Sequence, residues 1–520
     1  MIRIRRALFS AYHKEGLLPL AQEVVRWGGE IVSSGGTASH LREAGLKVTT
    51  VEDLTGVASL FGGRVKTLHP RIHGGILFRR DDPADCRSAE LAGIEPIDLV
   101  VVNLYPFASA LERGLDEPET IELIDVGGPA MVRAAAKNHR FVGVVTLPED
   151  YEPVRSALAA GEGALTEELC RLLAGRAFVA TAAYDLAIAG YFAGKPPAEE
   201  GGLPAFWSAQ APQRRTLRYG ENPSQLGGLY GSGDAFPFDL EQLHGKEISY
   251  NNLLDLACGR DVMGEFADEQ VAVVIKHGIP CGVARGRSLV EAYRRARACD
   301  ALSAFGGVVV LGQEVDADTA ESLNETFLEV VLAPGYTASA LELLEKKKNR
   351  VLLRCPVASL RQPASGLRGR FVGSGFLLQT PMPPGLGESD WKVVTRREPD
   401  ARERADLLFG WKVLKHVRSN GILLARDAQV VGLGAGQCSR IDSAELAIRK
   451  AGREGHALAG AVMLSDAFFP FRDCVDRAFE AGVTAVLHPG GSVRDEESVA
   501  ACDEHGMTML INGARVFSHG

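Results

Sequence analysis

The chain has no block of clustered lysine or arginine, no Cys-x-x-Cys pair, no short-period repeat and no low-complexity tract. Each absence removes a class of function. With 57 basic against 66 acidic side chains and no basic patch, neither a nucleic-acid partner nor a membrane-surface role is expected. An anionic small-molecule substrate stays open, because a few local cations suffice for that. The nine cysteines, at 86, 170, 258, 281, 299, 355, 438, 474 and 502, are scattered. That usage suits a reduced compartment and argues against a disulfide framework or a zinc site. The nearest metal-like spacing is His69-Pro-Arg-Ile-His73, which carries proline where a zincin helix needs glutamate, so no metal is expected. No stretch reads as a bilayer span. The basic start Met1 to Arg6 gives way to polar Ser10 and His13 without the apolar core of a secretion signal, so a cytoplasmic location is expected.

At 520 residues the chain exceeds one ordinary core, and two or more domains are expected. Roughly the first 190 residues alternate short apolar strands with amphipathic helices, the pattern of a doubly wound α/β layer. Leu17, Leu20, Ala21, Val24 and Val25 mark one helix face; Thr37 to Glu43 reads as the next helix, and Arg171 to Phe192 as a long one. Ile31-Val32, Leu99 to Val102 and Phe141 to Thr146 read as strands. Proline, glycine and charge from Gly194 to Pro204 mark a linker, giving expected domains 1–198 and 199–520. Beyond it the α/β pattern resumes in two similar lobes, with strands at Val271 to Ile275, Val308 to Leu311, Ile422 to Leu424, Ala461 to Leu464 and Val483 to Leu487.

Two constellations carry chemistry. In the first domain Ser33-Ser-Gly-Gly-Thr37 follows a strand, Arg64-Val-Lys66-Thr67 adds cations and a hydroxyl, and Ser10 and Lys14 add another donor group. Together they describe a phosphate cradle. Asn103-Leu-Tyr105-Pro106 leaves a further strand end, and Ile124-Asp125-Val-Gly-Gly-Pro129 opens a helix in which Pro129 suits the first position and which carries Lys137. In the second domain the β-branched run from Val271 ends in Lys276-His277 before Pro280 and Gly282 force a turn. A strand thus delivers a cation and an imidazole at its carboxyl end, the edge where open α/β sheets place ligands. Gly432-Leu-Gly-Ala-Gly-Gln437 fails the dinucleotide pattern at its third glycine and reads as a backbone-approach loop presenting Arg440.

The motifs Arg64-Val-Lys-Thr-Leu-His-Pro70, Asn103-Leu-Tyr-Pro106, Ile124-Asp-Val-Gly-Gly-Pro129 and Ala134-Ala-Ala-Lys-Asn-His139 resemble the bifunctional purine-biosynthesis family. Leu217 to Gln225, His244 to Asn252, Asp300 to Gly307, Val417 to Asn420, Gly432 to Arg440 and Ser465 to Asp473 resemble it too, so that the likeness runs in order along nearly the whole chain. The resemblance implies a methylglyoxal-synthase-like IMP cyclohydrolase domain followed by an AICAR transformylase region. It implies that Ser10, Lys14, Ser34, Gly35, Gly36, Thr37, Arg64, Lys66, Thr67, Asn103 and Val126 hold the cyclohydrolase substrate, with Lys137 handling the proton and Tyr105 and Asp125 close by. In the transformylase, Arg218, Tyr219, Gly306, Glu329, Asn420, Arg440, Phe468 and Arg515 would hold AICAR. Ile441, Asp473, Ser492 and Val493 would hold 10-formyltetrahydrofolate as cosubstrate, with no tightly bound cofactor, and Lys276 and His277 would be the catalytic pair. A homodimer is also implied. Tyr12, His13, Ser224, Ile279 and Ala301 depart from the family's usual residues, as does part of the tail Arg515 to His519. A chain keeping only one of the two activities, or a nucleotide-sensing protein without turnover, remains as an alternative.

Overall fold

The computed structural model describes residues 1–519 apart from 108–110, 112, 195–201, 205, 209–210, 232–238, 267–268, 362–366, 384–385 and 387–390. The chain forms two compact units, Met1–Gln210 and Ala211–Gly520. The expected boundary at 198/199 lies outside the described residues.

In the first unit five parallel strands lie in the order Val48–Thr50, Glu30–Ser33, Arg6–Ala11, Leu99–Asn103, Gly143–Val145. The order reverses between Arg6–Ala11 and Leu99–Asn103, which makes the carboxyl ends of those two strands the switch point where such sheets bind ligands. The helix expected from Thr37 starts at Gly35 and runs to Glu43, with Ser34 as its N-cap. The helix expected to open at Pro129 is Gly127–Lys137, so the proline is its third residue. His69 caps the helix Pro70–Leu77 by accepting from the Arg71 N–H at 3.1 Å through Nδ1, a structural role for the residue of the metal-like spacing.

The long helix is Glu167–Ala193, started by Thr166, whose side chain accepts from the Leu169 N–H. Contrary to the sequence reading, this helix is long and apolar enough by length and composition to cross a membrane. Cys170, Leu173, Ala174, Ala177, Thr181 and Tyr184 are nevertheless spaced at helical intervals and buried, so one face closes over the first unit's core.

The second unit is built on a twelve-stranded sheet in two halves. Each half supplies an edge strand, a helix, an antiparallel hairpin, a second helix and three parallel strands with helices between them. In the first half these include the helix Tyr250–Met263, the hairpin Val271–Lys276/Ile279–Arg285 and the parallel strands Gly307–Leu311, Leu328–Ala333 and Val351–Arg354. Their counterparts are the helix Ala401–Leu414, the hairpin Ile422–Arg426/Gln429–Gly434 and the strands Val462–Ser465, Ala485–His488 and Thr508–Ile511. The halves join where Ala284 pairs antiparallel with Gln429. Both faces of the central strands are buried, which is why the sequence shows continuous β-branched runs there. Val271, Val273 and Ile275 enter one core, Ala272 and Val274 the other.

Strand direction changes the expected placement of Lys276-His277. Val271–Lys276 runs antiparallel to Gly307–Leu311, with Ile275 opposite Val308. Its carboxyl end therefore lies at the amino ends of its own lobe's parallel strands. The antiparallel joint brings that turn instead to the carboxyl edge of the second lobe, beside Gly434 and Ser465.

Candidate active sites

In the first unit the cradle assembles around two helix N-termini. A β-carbon on Gly35 would lie 3.1 Å from Lys66 Nζ, and one on Gly36 would lie 3.6 Å from Lys14 Nζ. Two ammonium groups thus stand at a helix start whose N-cap side chain makes no capping bond, an arrangement made for an anion. Thr67 Oγ1 reaches the second helix start, 2.7 Å from where a β-carbon on Gly127 would be. Asp125 caps that helix, its Oδ1 accepting from the Gly128 N–H at 2.8 Å. Burial pushes the Asp125 carboxyl above the usual carboxylate range, against the N–H groups of Gly128 and Gly127 that favour its charge. Such a carboxyl is better matched to proton transfer than an exposed one.

Two predicted residues are engaged with the protein itself. Asn103 Oδ1 accepts from the N–H groups of Tyr12 (2.6 Å) and His13 (3.0 Å), while Nδ2 donates to His13 O and Tyr151 Oη, both at 2.8 Å. Asn103 therefore shapes the loop that carries Lys14. Thr37 Oγ1 donates to Ala11 O and accepts from its N–H, both at 3.0 Å. Arg64 is exposed and paired with Glu122, and Val126 is exposed. Tyr105 is exposed and packs against Tyr12, with ring centroids 4.9 Å apart. Lys137 ends the helix that Asp125 begins, and ten residue steps at 1.5 Å separate the backbones of Gly127 and Lys137 by about 15 Å.

In the second unit the Lys276-His277 pair sits at a hairpin turn in which His277 and Gly278 both have positive φ, 53° and 69°. That is the type I′ geometry of a two-residue hairpin. Lys276 Nζ donates to Gly306 O at 2.9 Å, and the His277 side chain is exposed. A β-carbon on Gly278 would lie 3.5 Å from the Arg418 guanidinium, so the second lobe's 418–420 segment faces the turn. Behind it lies a polar network. Arg440 donates to Asn420 Oδ1 (3.0 Å), Asp466 Oδ1 (2.8 Å) and Phe468 O (3.2 Å), and Asn420 Nδ2 donates to the carbonyls of Gln437 and Cys438. The tail joins it, with Val516 N–H donating to Asp466 O at 3.0 Å, which places exposed Arg515 alongside.

The glycines before Arg440 serve packing. A β-carbon on Gly434 would fall 1.9 Å from Ser443 O and one on Gly432 would fall 2.5 Å from Ala447 O, so they let the strand meet the helix Arg440–Arg453. Ile441 in that helix, Asp473 at the start of Asp473–Glu480, and Ser492 and Val493 after Ala485–His488 share this carboxyl edge. Glu329 lies on the other lobe, accepting from Asn252 Nδ2 at 3.1 Å and near Lys246 Nζ at 3.9 Å. Arg218 lies over the Tyr219 ring at 4.7 Å, and their loop is tied to the helix Tyr250–Met263 by Asn251 donating to Glu221 O. Ile279 faces Lys276 across the hairpin and packs on the core.

Sequence reasoning missed Tyr184, Asp255 and Asp466. Tyr184 Oη accepts from the Asp125 N–H at 2.7 Å, and Asp255 Oδ1 accepts from the Gly278 N–H at 2.6 Å. Only Asp466 lay inside a motif; the other two sit in helices whose partners are 59 and 23 residues distant.

Residues 135–450 match the family described as the AICARFT/IMPCHase bienzyme, and residues 16–130 match the MGS-like domain. The bifunctional purine biosynthesis protein PurH of Rhodospirillum rubrum is 48% identical over 526 residues, covering 99% of both chains. Its namesake in Myxococcus xanthus is 48% identical over 99% of this chain and 100% of that one. The Cereibacter sphaeroides protein of the same name is 47% identical over 100% of this chain and 99% of that one.

Proposed function

The chain belongs to the AICARFT/IMPCHase bienzyme family, and from that premise we propose which residues carry each of its two reactions. It is a bifunctional enzyme of purine biosynthesis that formylates AICAR and closes the product, FAICAR, to IMP. The observation that carries the residue assignment is the Lys276-His277 turn set against the Asn420–Arg440–Asp466 network.

For formyl transfer, 10-formyltetrahydrofolate supplies the one-carbon group. His277, exposed on its turn, takes a proton from the AICAR amine as the nitrogen bonds to the formyl carbon. Lys276 stabilises the oxygen that gains negative charge, and the bond from that carbon to the folate nitrogen then breaks, the nitrogen leaving protonated. Arg218, Tyr219, Gly306, Glu329, Asn420, Arg440, Phe468 and Arg515 hold AICAR. Arg440 Nε is buried without a partner among the described residues, a donor left over for a ligand. The residues fit the folate: half-buried Ile441 and exposed Val493 offer apolar contact to a flat ring, and Asp473 and Ser492 offer polar contacts at the same edge.

For ring closure, Lys14, Lys66, Thr67 and the amides at Gly35 and Gly36 hold the phosphate. The carboxamide nitrogen bonds to the formyl carbon and the formyl oxygen departs as water. Asp125, with its raised pKa, and Tyr105 move the protons. Lys137 joins them on the family resemblance, from the far end of its helix. The enzyme works in the cytoplasm as a homodimer. Support for pairing is the hairpin Arg368–Val372/Gly375–Gln379, on which Phe371, Val372, Phe376 and Leu377 are exposed together.

Separate assays test the reading. His277→Ala should abolish formyl transfer and spare FAICAR closure, whereas Asp125→Ala should do the reverse. A His277→Ala enzyme with full formyl transfer would sink the assignment, and sedimentation of the purified chain as a monomer would sink the dimer.

A further inference from the structure

The helix Tyr250–Met263 presents one line of polar side chains to the transformylase site. Asn251 donates to Glu221 O, Asn252 to Glu329, Asp255 accepts from Gly278 N–H, and one turn on Cys258 Sγ donates to Gly278 O at 3.4 Å. Both polar ends of Gly278, the residue next to His277, are thus held from a single helix.

We propose that Asp255 is a positioning residue for formyl transfer, its carboxylate fixing the His277–Gly278 turn and so the place from which the imidazole meets the AICAR amine. The inference rests on the reading of His277 as the base. His277 sits at φ 53°, a conformation that a non-glycine residue rarely adopts unless the surroundings impose it. The imidazole has only two side-chain torsions, so its position follows the backbone. A carboxylate that accepts from the Gly278 N–H at 2.6 Å ties the turn to the helix Tyr250–Met263 and so fixes the backbone from which the imidazole extends.

The second lobe holds the control. Its hairpin turn, Asp427–Ala428, has φ values of 53° and 54°, and Asp406 on the equivalent helix accepts from both amides, at 2.9 and 2.8 Å. The capping device is therefore duplicated, while the Lys-His pair occurs on one copy alone. Asp406 supports a turn without chemistry, and Asp255 the same turn with it.

The test uses the full chain with Asp255→Ala, Asp255→Asn, Asp255→Glu, Asp406→Ala and His277→Ala. Readouts are kcat and KM for AICAR in formyl transfer, FAICAR closure as the reference activity, and thermal unfolding. Asp255→Ala should lower formyl-transfer kcat by about 30-fold with KM changed less than about threefold, because misplacing a catalytic group acts on the rate step. Asp255→Asn keeps an acceptor oxygen and should stay within about fivefold of wild type, while Asp255→Glu keeps the charge, moves the acceptor and should fall about tenfold. Asp406→Ala should match the stability loss of Asp255→Ala and leave kcat within about twofold. Equal losses of kcat in the two alanine variants, an unaffected Asp255→Ala enzyme, or an asparagine variant worse than the glutamate one would each overturn the proposal. If Asp255→Ala gives no cooperative unfolding, the asparagine and glutamate variants decide. Full formyl transfer in His277→Ala would overturn the underlying reading instead, and that outcome is independent of the Asp255 series.

Discussion

Gly128→Ala isolates the role of the Asp125 carboxylate without touching it. Gly128 is the second residue of Gly127–Lys137, and its φ is not positive, so alanine suits the backbone. Its β-carbon, however, would lie 2.2 Å from Asp125 Oδ2 and 2.9 Å from Cγ. Relief to ordinary contact needs the carboxyl to move by roughly 1 Å, and a shift of that size at a catalytic group costs on the order of 100-fold in rate. That factor corresponds to about 2.7 kcal/mol of transition-state stabilisation. Stability should change far less. Alanine favours the helix by about 0.5–1 kcal/mol, which offsets a weakened cap bond of about 1 kcal/mol. FAICAR closure followed by absorbance, with formyl transfer and thermal unfolding measured on the same sample, separates the effects. Closure at the wild-type rate would refute the view that the position of Asp125 matters to chemistry. Parallel loss of both activities with a lower melting temperature would show general damage instead.

Tyr184→Phe removes the acceptor for the Asp125 N–H and should slow FAICAR closure about fivefold while destabilising the chain by about 1 kcal/mol, with formyl transfer as the unaffected reference. Ile279→Asn exchanges a half-buried aliphatic for an amide and should cost about 1–2 kcal/mol in unfolding free energy. Since Gly306 and Asp255 already hold the neighbouring pair, its formyl-transfer rate should rise no more than about threefold; a tenfold gain would show that an amide there takes part in the chemistry. His488 is buried with neither ring nitrogen bonded among the described residues, and burial holds its pKa down to about 4. Below its usual value of 6.5 the unfolded chain takes up a proton that the folded chain refuses, so stability falls as pH drops from 6.5 towards 4, by on the order of 3 kcal/mol. Urea midpoints across that range should flatten in His488→Gln, and an unchanged slope would count against the assignment.

Local pattern carried much of the fold. The β-branched runs marked the central strands because those strands are buried on both faces, but the turn expected at Pro280 and Gly282 falls earlier, at His277–Gly278, and those two residues pair within the strand Ile279–Arg285. What local pattern could not give was strand direction. Lys276-His277 does end its strand, but the hairpin pairing that sends this edge to the second lobe is a long-range fact. Helix starts slipped as well: Thr37 and Pro129 read as the first helical residues, yet the helices begin two residues earlier, at Gly35 and Gly127. Asp255 and Tyr184 were invisible because a carboxylate or phenol within a helix acquires meaning only from what packs against it.

The duplicated lobe explains why the proposed transformylase site draws on both halves. Each lobe offers two features, a hairpin turn at one edge and the carboxyl ends of parallel strands at the other. Antiparallel joining through Ala284 and Gln429 places each lobe's turn at the other's carboxyl edge. The frame is thus symmetric, and the side chains are not: one turn carries His277–Gly278, the other Asp427–Ala428. At position 278 the Arg418 guanidinium stands against the turn, and the equivalent position in the second lobe is Ala428. The joint itself is well tied. Arg285 N–H donates to Ala428 O at 3.0 Å, Gln429 Nε2 to Arg295 O at 2.8 Å, and Arg295 donates across to Asp427 O. With both lobes in one hydrogen-bonded sheet, the distance from the imidazole to the Asn420–Arg440 network is set by backbone pairing. The site therefore gains its alignment before any ligand arrives, which is the condition under which oriented groups lower a barrier most.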